Sequence, residues 1–305
     1  MKNTIQQYFL YSCKAFVGIV FCISAILKLL SIESFEIYIY SFQLFSLNFS
    51  YLVARFIISA ELILGIMLIL NLLKKCTYIT ALSVLTIFTV FLLYVHFIAG
   101  NQENCHCFGD IIKLDLISSV LKNILLIVLL LVSKNSFLFH IRFEKIITAL
   151  LIVIVFVSVN VVSPPDNWIS LQKNTELNEK ALDEAFSNNV LEEDLKSGEK
   201  IICFYGVGCK YCQLLNKKLD IIQKRHPEIE MNFIGVFWGS SEDYEKFIQN
   251  SDIDFIKTYL ISPVIFLDIT NGKMPVVAIM KDGVITDKFK YHNLQEDTFV
   301  ESIKK

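Results

Sequence analysis

Long apolar stretches alternate with short polar segments through the first half of the chain. Five such stretches run over roughly 9–30, 49–73, 77–99, 116–133 and 146–162. Each is close to the roughly 20 residues that an α-helix needs to cross a bilayer. The first stretch lacks a small-residue cleavage site before Glu33, so we interpret it as a retained helix rather than a signal peptide. The pattern predicts an all-α transmembrane bundle.

The second half has the shorter periods of an α/β domain. The break Ser163-Pro164-Pro165 ends the fifth stretch, and a polar tether leads to a helical pattern from Ala181 to Leu195. Beyond it, apolar runs, turn residues and amphipathic stretches alternate. They predict a strand over 200–205, a helix over 209–226, a strand over 231–238, a capped helix beginning near 240, a hairpin over 276–290 and a last helix over 295–304.

Composition and charge agree with a membrane half and an acidic half. The chain is 54% hydrophobic and 19% charged, whereas soluble domains carry about a quarter charged residues. Formal charge is +4 over residues 1–162 and −6 over 163–305. No strongly basic domain is present, which disfavours nucleic acid as a partner. We therefore expect residues 1–162 to lie mainly within the lipid bilayer.

The cations near the span ends predict the orientation. Lys and Arg are retained on the cytoplasmic side, and with five spans one side collects Lys2, Lys74, Lys75, Lys134, Arg142 and Lys145, while the other collects Glu33, Glu36, Glu103, Asp110 and Asp115. The amino terminus is then cytoplasmic. The loop over 100–115 and all residues after Val162 lie in the periplasm or an equivalent compartment, so we expect a multi-pass protein of the inner, cytoplasmic membrane.

Four of the eight cysteines have a structural interpretation. Cys13 and Cys22 lie in the first span, and Cys76 lies at the cytoplasmic edge of the third span. Cys203 lies inside a predicted buried strand. Buried thiols usually behave as small apolar side chains. The redox chemistry is therefore expected at the four remaining cysteines, on the outer side.

Cys209-Lys210-Tyr211-Cys212 stands where a strand passes into a helix. The first sulfur meets the helix amino terminus, where unpaired N–H groups stabilise a thiolate. Cys212 is one turn further on and faces the same side. Cys209 is thus the expected nucleophile and Cys212 the resolving thiol. Half of a zinc site is the alternative, but no second Cys-x-x-Cys or His pair follows at a suitable spacing.

These residues resemble the thioredoxin family over about 185–305: an apolar strand, Cys-x-x-Cys at a helix start, and a Pro ahead of the Lys281-Asp282-Gly283 hairpin and a terminal helix. The resemblance implies a cis peptide bond at a Pro facing the dithiol, which matches Met274-Pro275, with Pro263 as the alternative. Gly208 replaces the Trp often found before the first Cys.

A second sulfur pair, Cys105 and Cys107, lies in the outer loop within Asn104-Cys-His-Cys-Phe-Gly-Asp110. As metal ligands, Cys105, His106 and Cys107 are adjacent and rarely close a tetrahedral site alone, so no metal site is assigned. As a redox pair, they close only a small, strained ring that is easily reduced. That property suits an electron acceptor or relay.

The loop sequence after a third span resembles the MauE group of membrane proteins, which is related to DoxX-type four-helix proteins. Ser24-Ala-Ile-Leu-Lys28 and Glu61-Leu-Ile-Leu-Gly65 add to the similarity, which covers about 8–133. The resemblance implies a disulfide role in the redox maturation of cysteine-rich exported proteins. The fused arrangement is similar in plan to vitamin K epoxide reductase homologues joined to thioredoxin domains.

Ionisable residues also occur within the predicted spans, where charge is costly and usually faces a partner or a cavity. They are Lys28, Arg55, Glu61, His96 and Lys122. One hypothesis is a polar pocket beneath the Cys105–Cys107 loop for a quinone head group that accepts electrons. The other, favoured for Arg55 and Glu61, is interhelical salt bridges with snorkelling lysines.

The combined interpretation divides the chain into a four-helix transmembrane domain over 1–133, a fifth helix and linker over 134–165, and an extracytoplasmic thioredoxin-like α/β domain over 166–305. We expect a thiol–disulfide oxidoreductase in which Cys209 attacks, Cys212 resolves, Pro275 positions the incoming sulfur, and Cys105 with Cys107 exchange electrons. Its partners would be exported thiol-containing proteins. Two alternatives stay open: a non-catalytic assembly factor for an exported client, and a small-molecule or metal carrier.

Overall fold

The computed structural model describes residues 2–97, 115–135, 142–166, 176–251 and 253–304. The chain divides into two compact units. The first comprises Met1–Tyr38 and Leu52–Pro164, and the second comprises Ile39–Tyr51 and Pro165–Lys305. The second unit thus contains a short segment, residues 39–51, that comes from the loop after the first predicted span.

Each of the five predicted apolar stretches is a helix. In chain order the helices of this half are α1 (Lys2–Leu30), α2 (Ile32–Ser41), α3 (Leu47–Ile69), α4 (Lys74–Phe97), α5 (Leu116–Val132) and α6 (Glu144–Val162). By length and composition, α1, α3, α4 and α6 can cross a membrane, and α5 is an apolar helix that falls short of that length. The multi-pass membrane prediction agrees with these helices, whereas α2 was not predicted.

Four helices share the apolar core of the first unit. Its buried side chains come from α1, α3, α4 and α5: Val17, Phe21, Leu64, Leu68, Ala81, Leu85, Leu126 and Leu130. Helices α1 and α3 cross closely, because a Cβ on Gly65 would lie 2.7 Å from the carbonyl oxygen of Gly18. Large apolar side chains such as Phe56 and Leu150 are exposed on the outer helix faces, as lipid contact requires.

The second unit is built on a five-stranded mixed sheet. Its strands are β1 (Glu199–Gly206), β2 (Phe233–Trp238), β3 (Lys257–Leu260), β4 (Val276–Lys281) and β5 (Val284–Phe289). Their spatial order is β3-β2-β1-β4-β5. Strands β1, β2 and β3 pair in parallel, while β4 pairs antiparallel with both β1 and β5. The central strand β1 is buried from Ile201 to Gly206, which explains its continuous apolar run.

The helices of this unit are α7 (Glu179–Ser187), α8 (Lys210–Arg225), α9 (Ser241–Gln249), α10 (Pro263–Thr270) and α11 (Glu296–Lys304). The predicted cap is confirmed, since Ser240 Oγ accepts a hydrogen bond from the Asp243 N–H at 3.1 Å. This arrangement of a mixed sheet, a dithiol at the start of α8 and a terminal hairpin plus helix confirms the predicted thioredoxin-like fold.

One local prediction was wrong, and two elements were not predicted. The helix predicted from Ala181 to Leu195 ends at Ser187, because Asn189 takes a positive φ of 55° and a separate 3₁₀ turn follows at Glu193–Lys196. The segment between α9 and β4, for which the sequence pattern predicts no element, forms β3 and α10. In α10, Pro263 occupies the first turn and Ser262 is the cap, so Pro263 begins a helix.

Candidate functional site

The dithiol lies in a tight turn between the central strand and α8. Strand β1 ends at Gly206, and the Cys209 N–H donates to the Gly206 carbonyl oxygen at 3.0 Å. Cys209 is the cap residue of α8, with extended backbone angles. Its carbonyl oxygen accepts the N–H of Cys212 at 3.1 Å. The buried strand therefore fixes where the first helical turn, and with it the first sulfur, is presented.

The environment of Cys209 stabilises its thiolate. The hydrogen bond from the Cys212 thiol is the largest cause, and the backbone N–H groups of Cys212 and Tyr211 add to it, while partial burial acts in the opposite direction. Together they lower the pKa of Cys209 to about 6. A thiolate is the nucleophilic form of cysteine, and at pH 7 most of this thiol is ionised.

Cys212 has the opposite character. Its side chain is fully buried, and its sulfur accepts a hydrogen bond from the Gly206 N–H at 3.3 Å. Burial raises the pKa of Cys212 first, and the neighbouring Cys209 raises it further. The pair thus consists of one half-buried nucleophile and one buried thiol that keeps its proton. This asymmetry makes Cys209 the attacking thiol, and Cys212 has to lose its proton before it can resolve a mixed disulfide.

The peptide bond between Met274 and Pro275 is cis, which distinguishes Pro275 from the alternative Pro263. Met274 packs against the dithiol turn: a Cβ on Gly206 would lie 2.6 Å from its sulfur and 3.7 Å from the Cβ of Cys209. Glycine at position 206 therefore makes room for the Met274 thioether. The sequence analysis missed Met274, whose only signal was its place before the proline.

A group of aromatic rings adjoins the dithiol from the chain after β5. The Tyr211 ring lies 5.2 Å from the ring of Tyr291 and 5.3 Å from that of His292, centroid to centroid. Beneath it, the fully buried Lys218 of α8 donates to the carbonyl oxygens of Tyr291 at 2.9 Å and Leu294 at 3.2 Å. This lysine ties the site helix to the loop that carries His292. Neither contact is predictable from the local sequence pattern.

The segment 39–51 also contacts α8 within the second unit. Arg225 donates to the carbonyl oxygens of Phe45 at 2.9 Å and Gln43 at 3.3 Å. Lys218 donates to the hydroxyl of Tyr51 at 3.2 Å. Lys218 and Arg225 of α8 thus hold the short segment that lies between α1 and the main part of α3.

Two other cysteines, Cys203 and Cys22, are packed as expected of structural thiols, whereas Cys76 is exposed. Cys203 is buried in β1, and burial raises its pKa to about 12. Cys22 packs on the α1–α3 crossing, where a Cβ on Gly65 would lie 2.6 Å from its sulfur. The predicted partner pair, Cys105 and Cys107, lies outside the described residues. Within the described ranges, no three His, Cys, Asp or Glu side chains are grouped as metal ligands.

The five ionisable residues predicted to share a pocket do not all share one set of contacts. Lys28 pairs with Glu61 at 2.5 Å and donates to Ser24 at 3.1 Å, and Lys122 interacts electrostatically with both Lys28 and Glu61. In contrast, Arg55 pairs with Glu36 and donates to the carbonyl oxygen of Ser163 at 2.8 Å. His96 packs edge-on against the Phe97 ring.

The chain is similar in sequence to a known family and to a known protein. Residues 6–134 match the family model of the methylamine utilisation protein MauE. Protein TlpB of Flavobacterium psychrophilum is 26% identical, over 77% of this chain and 78% of its own.

Among solved structures, the thioredoxin domain of a thiol-disulfide oxidoreductase from Bacteroides vulgatus covers 37% of this chain and 84% of its own, with 18% identity and a TM-score of 0.31. A secreted disulfide oxidoreductase of Mycobacterium tuberculosis, homologous to E. coli DsbE, covers 35% and 81%, with 13% identity and a TM-score of 0.29. The chain combines an N-terminal part that matches the MauE family model with a C-terminal domain whose mixed sheet and dithiol turn are thioredoxin-like, and it is similar to TlpB over most of its length.

Proposed function

We propose that this protein is an integral membrane thiol–disulfide oxidoreductase that acts on exported proteins. Electrons would pass between the Cys209–Cys212 pair and the Cys105–Cys107 pair on the extracytoplasmic side. The observation that carries the proposal is the asymmetry of the first pair. A thiolate with a pKa of about 6 stands at the start of α8, and a buried, protonated thiol lies one turn further on.

The placement of segment 39–51 supports a shared compartment for the two pairs. This segment contacts the dithiol helix α8 through Arg225 and Lys218, and in our proposal it shares the side of the membrane on which the thioredoxin-like domain lies. From Tyr51 the chain passes through α3 and then α4, both long enough to cross a bilayer. Two crossings would return the chain, and with it the loop that carries Cys105 and Cys107, to the side on which segment 39–51 lies.

The exchange chemistry uses the two thiols in sequence. When the pair is a disulfide, a client thiolate attacks Cys209, forms a mixed disulfide and releases Cys212 as a thiol. A second client thiolate then attacks the client sulfur, which frees Cys209 and leaves the client oxidised. The electron pair now on Cys209 and Cys212 would pass by the same exchange to a Cys105–Cys107 disulfide. In the reverse direction, the same steps reduce a client. Reduction across the membrane would need a dithiol on the cytoplasmic side, where the sequence predicts Cys76 alone. We therefore favour oxidation or isomerisation.

The cluster of Lys28, Glu61 and Lys122 supports a place for a quinone as terminal acceptor. It brings two lysine side chains and one glutamate together within apolar helices. Quinone oxygens accept hydrogen bonds, which ammonium groups supply. A quinone bound there would accept the electron pair from the loop thiols. The test compares thiol oxidation in the purified protein with and without quinone, in wild type and in Lys122→Met. Equal oxidation in all four samples would refute this site.

Trapping of clients tests the oxidoreductase proposal directly. Cys212→Ser leaves Cys209 able to form mixed disulfides that cannot resolve, so we expect covalent adducts with exported proteins that a reductant removes. Cys209→Ser is the matched control and should form none. If a Cys209→Ser/Cys212→Ser variant keeps full function in cells, the chain acts as an assembly factor and the proposal fails.

Thiol accessibility tests the shared compartment. A membrane-impermeant maleimide applied from outside the cytoplasm should label both Cys209 and Cys105. Labelling of the two thiols from opposite sides would contradict electron exchange between the pairs.

A further inference from the structure

A histidine–aspartate pair in the second unit lies against Tyr211, the residue before Cys212. The Nδ1 atom of His292 lies 2.8 Å from Oδ1 of Asp166. The Asp166 side chain is nearly buried, at 12% exposed, whereas that of His292 is 53% exposed. The second carboxylate oxygen, Oδ2, is buried and has no hydrogen-bond partner among the described residues. The carboxylate is therefore directed at the imidazole, which presents its other side to solvent.

The imidazole ring is also held against the dithiol segment. It packs edge-on against Tyr211, 5.3 Å between ring centroids, and against Tyr291 at 5.0 Å. Tyr211 lies between the two cysteines in sequence, and its N–H group helps to stabilise the Cys209 thiolate. The loop that carries His292 is tied to α8 by Lys218. Aromatic packing and the carboxylate thus fix the ring beside Tyr211, which lies between the two cysteines in the chain.

We propose that His292, oriented by Asp166, is the proton donor and acceptor for the client sulfur during exchange at Cys209. A buried carboxylate that holds one imidazole nitrogen, with the rest of the ring exposed, is an arrangement that supports general acid–base catalysis. Asp166 is a positioning residue and His292 a catalytic residue. This inference rests on the proposed oxidoreductase function and deepens it.

The step balances in both directions. In reduction, the Cys209 thiolate attacks a client disulfide, so a bond forms between Cys209 and one client sulfur while the client S–S bond breaks. The departing client thiolate takes a proton from the His292 imidazolium. In oxidation, neutral His292 removes a proton from a client thiol, and the resulting thiolate attacks the Cys209–Cys212 disulfide. No further oxidant is needed within either half-reaction.

The leaving group distinguishes proton transfer from a structural role. An aliphatic thiol, with a pKa of about 8.5, leaves poorly without a proton, whereas an aromatic thiol of low pKa leaves readily. The experiment measures the rate at which the reduced full-length protein in detergent reacts with glutathione disulfide and with a nitrobenzoate disulfide. The rate of Cys209→Ser is subtracted as background from other thiols.

With glutathione disulfide, His292→Gln and Asp166→Asn should each slow the reaction at pH 6.5 by about tenfold or more, within the range of general acid catalysis. With the nitrobenzoate disulfide, both variants should stay within about twofold of wild type. His226→Gln is the matched control, because His226 contacts Glu228 and Glu296 at the other end of α8, and it should change neither rate.

Two outcomes would overturn the inference. If both disulfides slow equally in His292→Gln, the ring only supports the structure of the site. If neither slows, His292 takes no part in the reaction. In both cases a wild-type rate that depends on Cys209 still supports the oxidoreductase proposal. A wild-type rate no faster than that of Cys209→Ser would refute the oxidoreductase proposal instead.

Discussion

Removing the Cys212 thiol should raise the pKa of Cys209, because the hydrogen bond between the two thiols is the largest cause of its low value. In Cys212→Ala that bond is lost, and only the backbone N–H groups remain. We expect the pKa to rise by about two units, from about 6 in the wild type towards the ordinary range of a cysteine. Cys212→Ser keeps a hydroxyl donor and should fall between the two.

The pKa shift has a consequence for reactivity that changes sign with pH. At pH 5 the variant holds about a hundredfold less thiolate, but each thiolate is about eightfold more nucleophilic, because nucleophilicity rises with pKa with a Brønsted slope of about 0.4–0.5. Alkylation of Cys209 in Cys212→Ala should therefore be about tenfold slower than wild type at pH 5 and about eightfold faster at pH 9. The two curves should cross near neutral pH.

The assay is the rate of iodoacetamide modification between pH 4.5 and 10, followed by mass spectrometry of the peptide that contains Cys209. Cys203→Ala is the matched control, since Cys203 is a buried thiol on the neighbouring strand, and it should keep the wild-type midpoint. Equal midpoints in wild type and Cys212→Ala would refute the role given to the thiol–thiol hydrogen bond. A wild-type midpoint near 9 would refute the thiolate argument as a whole.

Three further predictions concern stability, each read from thermal unfolding in detergent. Glu61→Gln leaves the buried Lys28 unpaired and should cost about 3–5 kcal/mol, whereas Glu61→Gln with Lys28→Met should recover most of that loss; an equal loss in both would contradict a buried ion pair. Lys218→Met strands buried carbonyl acceptors and should cost about 2 kcal/mol or more, while the exposed Lys246→Met should cost less than about 0.5 kcal/mol. Gly65→Ala places a Cβ 2.7 Å from a carbonyl of the facing helix and should cost about 1–3 kcal/mol; an unchanged midpoint would refute that close crossing.

The sequence was most informative where the signals are local. The apolar stretches of the first half, the buried run at β1 and the Ser240 cap each depend on residues that are neighbours in the chain. The position of Cys209 at the start of α8 follows from the same kind of signal. These features were all predicted, and the cis peptide bond is at Pro275, the preferred one of two candidates.

Mixed local signals explain the errors. In α10, the apolar residues after Pro263 are compatible with a strand, although Ser262 followed by Pro263 is a typical helix start. The helix α7 stops because Asn189 adopts a left-handed conformation. The amphipathic pattern continues beyond Asn189 to Leu195, so the pattern predicts a longer helix. In each case a single turn residue outweighed the periodicity of its neighbours.

The parts of the site that the sequence did not predict depend on contacts between distant residues. Met274 meets Gly206 across the sheet, His292 meets Asp166 across 126 positions, and Lys218 joins α8 to the loop after β5. Periodicity along one element carries no information about which other element it meets. A lone His or Asp in sequence therefore has no visible partner until the fold brings the two together.

Segment 39–51 shows how such a contact adds to what charge alone indicates. The distribution of Lys and Arg predicts an orientation only if the number of spans is correct, and an error of one span reverses it. The contacts of Arg225 with the backbone of this segment depend on no such count, because they relate the dithiol domain to a loop before α3. In the proposed topology, the two cysteine pairs share one side of the membrane if α3 and α4 both cross it. Replacing Arg225 with Met should therefore remove two hydrogen bonds to this segment. Cys105 and Cys209 should still be labelled by maleimide from the same side of the membrane as in the wild type.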